Sequence, residues 1–270
     1  MKVLRNINVL KKAISSISNL GFVPTMGSLH NGHVSLIKKS QLKCKKTLVS
    51  IYVNPKQFNK KNDFSLYPRN TKKDLNLLKK LKVDFVFMPK TKDIYSIKAS
   101  GKIKLLNSQK ILCAKNRKGH FEGVLKIMDR FIMLIKPKYV FMGEKDYQQI
   151  LLVKNWIKNK YKSKIYACKT IRDKNNVALS SRNYLLDKNE LNKASQLITI
   201  LIRTKRLLQN KNYKKKYLSQ LKDKLINNLK IQIEYLEIRN KHDLKISQLK
   251  KKSRLFIAYY INNVRLIDNL

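Results

Sequence analysis

The chain has 270 residues, of which 43% are hydrophobic, and a formal net charge of +45 at pH 7. This length and hydrophobic content exclude a disordered chain and allow one large α/β domain plus a smaller one. The charge raises the alternative of an RNA-binding protein, but lysines occur throughout the chain rather than on one element. We therefore expect a solvated basic surface without a specific nucleic-acid groove.

Cysteine spacing and hydropathy indicate a cytoplasmic protein. Cys44, Cys113 and Cys168 are odd in number and far apart, which favours reduced thiols over a disulfide framework. Lysine and arginine interrupt residues 1–16 before the apolar core of a signal peptide can form. The most apolar stretch, residues 124–135, contains three charged residues, so we expect no membrane span and no membrane partner.

The stretch FVPTMGSLHNGH, residues 22–33, combines a short apolar run, a glycine-containing turn and the start of a helical pattern. His30 and His33 are three residues apart and are expected on one side of this helix, at its N-terminus. Unpaired N–H groups there attract phosphate, and two imidazoles can donate hydrogen bonds to its oxygens. Taken alone, the pair also fits ordinary histidines of a helix face, whereas a zinc site lacks further ligands.

Strands and helices are predicted in alternation up to about residue 175. Apolar runs predict strands at residues 21–23, 47–53, 83–88, 139–142 and 165–170. Helices are predicted at residues 1–20, 71–81 and 121–135, from about residue 34, and after Asp146 through Trp156. Short or irregular elements are expected over residues 90–120. Such alternation indicates right-handed crossovers and a Rossmann-like, doubly wound parallel sheet, hence an α/β fold.

The pattern changes after about residue 176. A polar loop over residues 176–183 precedes predicted helices at 188–208 and 212–229 and predicted strands at 233–238 and 255–261. Asn262 and Asn263 predict a hairpin turn into a last strand at 264–267. We therefore divide the chain into a Rossmann-like domain at residues 1–175 and a smaller α+β domain at residues 176–270.

Polar residues follow three of the predicted parallel strands. Ligands of doubly wound sheets bind beyond the carboxyl ends of the strands, so these loops are expected to converge on one site. The polar groups are those of residues 26–33, Asn54 and Gln57, and Lys145, Asp146 and Gln149. The chain has neither a G-x-G-x-x-G fingerprint nor a P-loop. Nucleotide phosphates would therefore be held by histidines, helix ends and isolated cations.

Each of these polar residues also has an ordinary structural explanation. Lys145 lies between Glu144 and Asp146 and could form a local ion pair, although its position between strand and helix favours a phosphate contact. Asp146 could cap the following helix or accept hydrogen bonds from ribose hydroxyls. Gln57 could be a solvated loop residue. Residues 180–182, Ser-Ser-Arg, fit either an ordinary loop or a phosphate clamp.

Seven segments are distributed along nearly the whole chain: in order, they are VPTMGSLHNGH, VSIYVNPKQF, DFSLYPR, GHFEGV, FMGEKDYQQ, ALSSRN and RLIDN. Together they resemble the pantoate–β-alanine ligase (pantothenate synthetase) family of the His-x-Gly-His nucleotidyltransferase superfamily. The resemblance implies a cytoplasmic, homodimeric, AMP-forming ligase of pantothenate (coenzyme A pathway) biosynthesis. The carboxylate of pantoate would attack the α-phosphorus of ATP, with Mg²⁺, to give pantoyl adenylate and pyrophosphate. The amine of β-alanine would then displace AMP.

The resemblance also implies roles for individual residues. The catalytic residues would be His30, His33, Lys145 and Arg182, with His33 as the proton donor, and no side chain would be a dedicated metal ligand. The ATP-binding residues would be Met26, Gly27, Ser28, Leu29, His30, Asn31, Gly32, His33, Gly143, Glu144, Lys145, Asp146, Ile171, Leu179, Ser180, Ser181 and Arg182. The residues that bind pantoate or β-alanine would be Met26, Asn54, Gln57 and Gln149. Other nucleotidyltransferases of the superfamily would lack the glutamine pair. The smaller domain would close as a lid that keeps water from the adenylate.

One position departs from the family pattern. Glu122 stands in GHFEG where the family usually has a basic residue, so the charge beside His120 is reversed. Either Arg117 or Lys118 compensates for it, or the position is peripheral. A structural role and a functional role for His120 both remain open at this point.

Overall fold

The computed structural model describes residues 1–59, 61–209, 215–248 and 252–270. These residues form two compact units. Unit 1 comprises Met1–Glu144 and Gln149–Lys169, and unit 2 comprises Lys145–Gln148 and Thr170–Leu270. The assignment of an ATP- and pantoate-binding domain and of a lid domain stays a prediction.

Unit 1 contains a six-stranded sheet in which every neighbouring pair is parallel. Its strands are β1 (Lys2–Leu4), β2 (Leu20–Thr25), β3 (Lys46–Ile51), β4 (Phe85–Phe87), β5 (Tyr139–Gly143) and β6 (Lys164–Cys168). The order β1-β4-β3-β2-β5-β6 reverses direction between β2 and β5. Such a reversal is the topological switch point of a doubly wound sheet, where the strand ends leave a crevice for ligands. The predicted fold class is confirmed.

The helices of unit 1 follow the predicted alternation. They are α1 (Ile7–Ile14), α2 (Asn31–Lys43), α3 (Lys61–Ser65), α4 (Thr71–Lys80), α5 (Thr91–Tyr95), α6 (Cys113–Asn116), α7 (His120–Ile135) and α8 (Tyr147–Ile157), the last of which begins in unit 2. Residues 90–120 contain only short elements, as expected. The phenyl ring of Phe131 on α7 meets the rings of Phe22, Tyr52 and Phe87 edge-on, at centroid distances of 5.6–6.1 Å, which buries this helix against the sheet.

The prediction of a helix over residues 1–20 is wrong at its start. β1 pairs with β4, with Val3 opposite Val86, before α1 begins. Asn6 separates the two elements because its side chain caps α1 by accepting a hydrogen bond from the N–H of Val9 at 2.9 Å. A strand of three residues is too short to show a period of two in hydrophobicity, so the sequence pattern does not distinguish it from the helix that follows.

Unit 2 combines two helices with an antiparallel sheet of order β7-β8-β9. Its elements are α9 (Lys188–Gln209), α10 (Lys215–Leu229), β7 (Gln232–Asn240), β8 (Ser253–Ile261) and β9 (Val264–Asn269). The predicted hairpin is confirmed, since Ile261 pairs with Val264 and Asn262 has φ +50°. Residues 212–214 of the predicted second helix lie outside the described residues. Leu197 and Ile198 of α9 belong to the same buried apolar cluster as Tyr259 of β8.

A buried carboxylate connects α7 to two other parts of unit 1. Asp129 accepts hydrogen bonds from Trp156 Nε1 at 2.8 Å, from the hydroxyl of Tyr161 at 2.7 Å, and from both the N–H and the hydroxyl of Ser100. Burial alone would raise the pKa of Asp129, but these donors outweigh burial and hold the pKa below its usual value. The charged form of Asp129 therefore stabilises the fold.

The cysteines are free thiols, as predicted, and all three are buried. Burial raises the pKa of the Cys168 thiol to about 11, and it raises the pKa of Cys44 in the same direction. In the part of the chain that the structure describes, no helix has the length and apolar character required to cross a membrane.

Candidate active site

The turn that follows β2 has a strained backbone held by neighbouring groups. The hydroxyl of Thr25 donates to the carbonyl of Ser50 at 2.6 Å and accepts from the N–H of Gly27 at 3.2 Å. Gly27 and Ser28 have φ values of +78° and +51°, in the left-handed region. A Cβ on Gly27 would also press against the carboxylate of Asp74, so this position requires glycine for two reasons.

Asp74, in the first turn of α4, fixes the same turn from its other side. Its side chain is 3% exposed, and its two oxygens accept the backbone N–H groups of Ser28 and Leu29, each at 2.8 Å. Hydrogen bonds to an ionised acceptor are about twice as strong as neutral ones. Asp74 could not be predicted from the sequence, because no local pattern relates it to a turn that lies 45 residues earlier.

His30 and His33 cap α2 reciprocally. Nδ1 of His30 accepts the N–H of Gly32 at 3.1 Å, and Nδ1 of His33 accepts the N–H of His30 at 3.3 Å. The two rings lie on the same side, with centroids 4.1 Å apart, as the spacing predicts. Because Nδ1 is the acceptor in each ring, the neutral imidazole carries its proton on Nε2. Both histidines therefore offer Nε2–H as a hydrogen-bond donor at a helix N-terminus.

The remaining residues of this stretch differ in exposure. Gly27, Ser28 and Leu29 are buried, and Leu29 is part of an apolar cluster of unit 1. Met26, His30, Gly32 and His33 are half-buried, whereas Asn31 is exposed. Side-chain access to a ligand in this stretch is therefore concentrated at Met26, Asn31 and the two histidines.

Asn54 organises the turn that follows β3. Its Oδ1 accepts the hydroxyl of Tyr95 at 2.8 Å and the N–H of Lys56 at 3.3 Å. Its Nδ2 donates to Gln57 Oε1 at 3.3 Å and to the carbonyl of Gly123 at 3.1 Å. Asn54 is fully buried, so these contacts use both ends of its amide to orient Gln57.

Gln57 joins the two turns. It lies on a short 3₁₀ helix, Pro55–Gln57, and is 9% exposed, so the alternative of a solvated loop glutamine is wrong. Its Nε2 donates to Met26 Sδ at 2.8 Å. The predicted meeting of the loops after β2 and β3 is therefore observed.

The first turn of α7, the GHFEG segment, holds the Gln57 turn in place. Nδ1–H of His120 donates to the carbonyl of Gln57 at 2.7 Å, and Nε2 of His120 accepts from Arg117 Nη1 at 3.0 Å. Arg117 also pairs with Asp63 at 3.5 Å. A Cβ on Gly123 would overlap the backbone of Lys56, so the helix can approach this closely only with glycine.

His120 has a structural contact, because it supports the backbone of Gln57, and the basic side chain of Arg117 lies beside it. Compensation of Glu122 by Arg117 or Lys118 stays a prediction. Glu122 is half-buried in the first turn of α7, where an acidic side chain interacts favourably with the helix dipole.

The end of β5 supplies the third loop. Because β5 neighbours β2 and runs parallel to it, Gly143 lies at the same edge of the sheet as the turn after β2. A Cβ on Gly143 would meet no atom within 4 Å, so open space adjoins its backbone. Glu144 and Gln149 are half-buried on either side of the segment Lys145–Gln148.

Lys145 and Asp146 belong to unit 2. Lys145 Nζ lies 3.3 Å from Asp146 Oδ1, and the Lys145 side chain is 18% exposed. The local ion pair that the sequence allowed is therefore present, and a partly exposed pair of this kind contributes about 1 kcal/mol or less. Such a weak partner leaves the ammonium available for exchange onto a phosphate.

Residues 171–182 form a short hairpin followed by a 3₁₀ turn in unit 2. The N–H of Leu179 donates to the carbonyl of Ile171 at 3.0 Å, which closes the hairpin. Ser180 then caps the 3₁₀ helix Ser181–Leu185 by accepting the N–H of Arg182 at 3.3 Å. Ile171 is exposed, Ser181 is buried, and Leu179, Ser180 and Arg182 are half-buried.

Comparison with known proteins identifies the family. The family model described as Pantoate-beta-alanine ligase matches residues 2–270. The chain belongs to the pantoate–β-alanine ligase family. A pantothenate synthetase of Francisella philomiragia is 37% identical over 99% of this chain and 95% of its own length.

Solved structures of the same family have the same fold. The pantoate-β-alanine ligase of Francisella tularensis, complexed with β-γ ATP and β-alanine, has a TM-score of 0.85 and 36% identity, with 100% of this chain and 97% of that chain covered. The pantothenate synthetase of Thermus thermophilus has a TM-score of 0.91 and 28% identity, with 100% and 99% covered. The predicted family and enzyme class, an ATP-dependent ligase of pantoate and β-alanine, are confirmed.

Proposed function

We propose that the protein condenses pantoate with β-alanine through a pantoyl adenylate, with release of pyrophosphate in the first step and AMP in the second. The observation that best supports this is the joining of two turns in unit 1. The helix start that carries His30 and His33 and the turn that carries Gln57 meet through the contact between Gln57 and Met26. In our proposal the helix start binds the phosphates and the amide of Gln57 binds the hydroxy acid, and the contact between the two turns supports binding of both substrates next to each other.

Adenylate formation requires positioning and charge neutralisation more than proton transfer. The carboxylate of pantoate is already ionised at neutral pH, so the attack on the α-phosphorus requires no general base. The pentavalent transition state gains negative charge on its oxygens, which fixed donors stabilise. In our proposal the Nε2–H groups of His30 and His33 are two of these donors, with His33 as the proton donor.

The cationic contacts come from unit 2 in this proposal. The ammonium of Lys145 neutralises the α-phosphate, and the guanidinium of Arg182 binds the leaving pyrophosphate together with the hydroxyls of Ser180 and Ser181. Asp146 accepts hydrogen bonds from the ribose. We assign the open space beside the Gly143 backbone to the ribose as well, because a side chain there would fill it.

Pantoate is recognised by neutral amides in this proposal. Gln57 and Gln149 bind its hydroxyls and carboxylate, and Met26 lines the same position. Asn54 contributes by orienting Gln57, since its own amide is already hydrogen-bonded within the protein. Amides buried for this purpose discriminate strongly, because an analogue without a hydroxyl would leave them unpaired.

Mg²⁺ enters the proposal as part of the nucleotide. Among the described residues, no group of three or more histidine, cysteine, aspartate or glutamate side chains is arranged to hold a metal ion. Mg²⁺ keeps several water ligands and binds substrate phosphates readily, so it requires no protein cage here. When bound, it would neutralise the phosphate charge. A cytoplasmic location and a homodimer are also part of the proposal, the first supported by three buried free thiols.

Omission of single substrates tests the proposal. Purified protein with ATP, Mg²⁺, pantoate and β-alanine is expected to release AMP and pyrophosphate and to form pantothenate. Without β-alanine, exchange of labelled pyrophosphate into ATP is expected to continue, because it requires only the first step. AMP or exchange in the absence of pantoate would refute the assigned acid substrate, and formation of ADP would refute the adenylate route.

A further inference from the structure

The C-terminal strand ends in two buried polar residues that the proposed chemistry does not use. Asp268 and Asn269 close β9, within the RLIDN motif, and are 3% and 4% exposed. They pair with Ile257 and Phe256 of β8 through the backbone, so their side chains are not needed to form the sheet. Buried polar side chains are seldom kept without partners, and the partners of these two indicate what they do.

Asn269 forms a hydrogen bond with the segment that contains Lys145. Its Nδ2 donates to the carbonyl of Lys145 at 2.9 Å, and its Oδ1 accepts from Arg254 Nη1 at 2.6 Å. The guanidinium of Arg254 also lies over the ring of Tyr147, 4.5 Å from its centroid, and the hydroxyl of Tyr147 donates to the carbonyl of Lys241. These contacts explain why Lys145–Gln148 groups with unit 2 although the residues on both sides belong to unit 1.

Asp268 forms hydrogen bonds with the hairpin of unit 2 that precedes the Ser-Ser-Arg turn, which we also assign to ATP binding. Its carboxylate accepts two hydrogen bonds from Arg172, at 2.6 and 2.9 Å, in a bidentate arrangement. Arg172 also donates to the carbonyl of Asn176 and forms a backbone bridge with Ala178, so it is the base of the hairpin that leads to Ser180. Two consecutive residues of one strand therefore hold both the Lys145 segment and the hairpin before the Ser-Ser-Arg turn.

We propose that Asn269 is a positioning residue for adenylate formation, which acts by fixing the backbone of Lys145 and hence the direction of its ammonium group. The inference rests on the proposed function, since it matters only if Lys145 contacts the reacting phosphate. In this proposal only the side chain of Lys145 separates the hydrogen bond of Asn269 from the reacting phosphate. A displacement of about 1 Å in a positioned group can slow a reaction by about 10²-fold. Tyr147 holds the same segment through its contacts with Lys241 and Arg254, which limits the displacement. We therefore expect a loss of rate no larger than this.

Two substitutions separate the contact with Lys145 from the contact with Arg254. Asn269→Ala removes the hydrogen bonds to Arg254 and to Lys145, whereas Asn269→Asp keeps the acceptor for Arg254 and replaces the donor to Lys145 with a carboxylate oxygen. Both variants are expected to slow pantoate-dependent pyrophosphate exchange by about 10- to 100-fold. In a Lys145→Ala background, adding Asn269→Ala is expected to change the rate by less than about twofold, because effects that act through one group do not add.

Leu266→Ala is the matched control for stability. Leu266 lies on the same strand, is buried in the apolar cluster of unit 2, and has an apolar side chain, which cannot form a hydrogen bond with the Lys145 segment. It is expected to lower the unfolding temperature more than Asn269→Ala does, while the exchange rate per folded molecule stays within about twofold of wild type. A role of Asn269 in stability alone would give the opposite ranking.

The outcomes distinguish this inference from the function on which it rests. If wild-type protein shows no pantoate-dependent exchange, the proposed function fails, and the inference fails with it. If wild-type protein is active and both Asn269 variants exchange at its rate, the inference alone is wrong. Equal losses from Asn269→Ala in the presence and absence of Lys145 would likewise overturn it, because Asn269 would then act independently of that lysine.

Discussion

Asp74→Ala tests how the fold holds the histidine turn. The wild-type carboxylate accepts the N–H groups of Ser28 and Leu29, each at 2.8 Å, in a buried position. The substitution removes both acceptors and leaves two buried backbone donors without their partner. The turn must then either stay in place with unsatisfied donors or move toward water, and in both cases His30, the next residue, loses its support.

The size of the effect follows from the two hydrogen bonds. A hydrogen bond to a charged group contributes about 1.5–3 kcal/mol, so the two set an upper bound of about 3–6 kcal/mol if the turn does not move. Relaxation of the turn reduces this, and we expect a loss of about 2–4 kcal/mol in the free energy of unfolding. Because displacement of a reacting group by about 1 Å costs about 10²-fold, adenylate formation is expected to slow by about 10- to 100-fold.

Urea unfolding and pyrophosphate exchange measure the two effects separately. Asp84→Ala is the matched control, since Asp84 also accepts a backbone N–H, that of Thr47 at 2.9 Å, and pairs with Lys46, but lies at the other end of the strands. The control is expected to lose stability and keep its exchange rate. An Asp74→Ala variant with lowered stability and an unchanged exchange rate would refute the link between this turn and the reaction.

Three further predictions concern single side chains. Lys145→Ala is expected to slow pyrophosphate exchange by about 10²–10³-fold with the fold intact, whereas the exposed control Lys154→Ala is expected to have no effect; near-normal exchange in the first would contradict its role. Gln57→Leu is expected to lower kcat/KM for pantoate by about 10- to 100-fold and to leave the KM for ATP nearly unchanged. The reason is that leucine leaves the pantoate group that Gln57 would bind without a hydrogen-bond partner. Asp129 has a lowered pKa, so the stability it confers is complete at neutral pH and is lost as the pH falls through that pKa. The difference in free energy of unfolding between wild type and Asp129→Asn is expected to shrink below about pH 4, and a constant difference would refute this.

The parts that the sequence predicted share a local or periodic signal. Alternating apolar runs and amphipathic stretches indicated the parallel sheet, and the spacing of His30 and His33 placed both rings on one side of α2. The hairpin at Asn262 followed from a two-residue turn between apolar strands. Features of this kind can be predicted from the sequence because a few adjacent residues determine them.

The parts of the structure that could not be predicted from the sequence depend on residues far apart in the chain. β1 is defined by its partner β4, more than eighty positions later. Asp74 acts on the turn at Ser28, and Asn269 acts on Lys145, 124 positions earlier. A lone aspartate or asparagine has several common local roles, such as caps and turns, so its partner becomes apparent only when the chain is folded.

Transfer of oxygen tests the central claim of an adenylate most directly. Pantoate labelled with ¹⁸O in its carboxylate is incubated with ATP, Mg²⁺, β-alanine and the protein, and the AMP is analysed by mass spectrometry. If the carboxylate attacks the α-phosphorus and the amine then breaks the acyl carbon–oxygen bond, one ¹⁸O must leave with AMP, and the pantothenate amide must keep the other. AMP without label, or labelled inorganic phosphate beside ADP, would contradict the account.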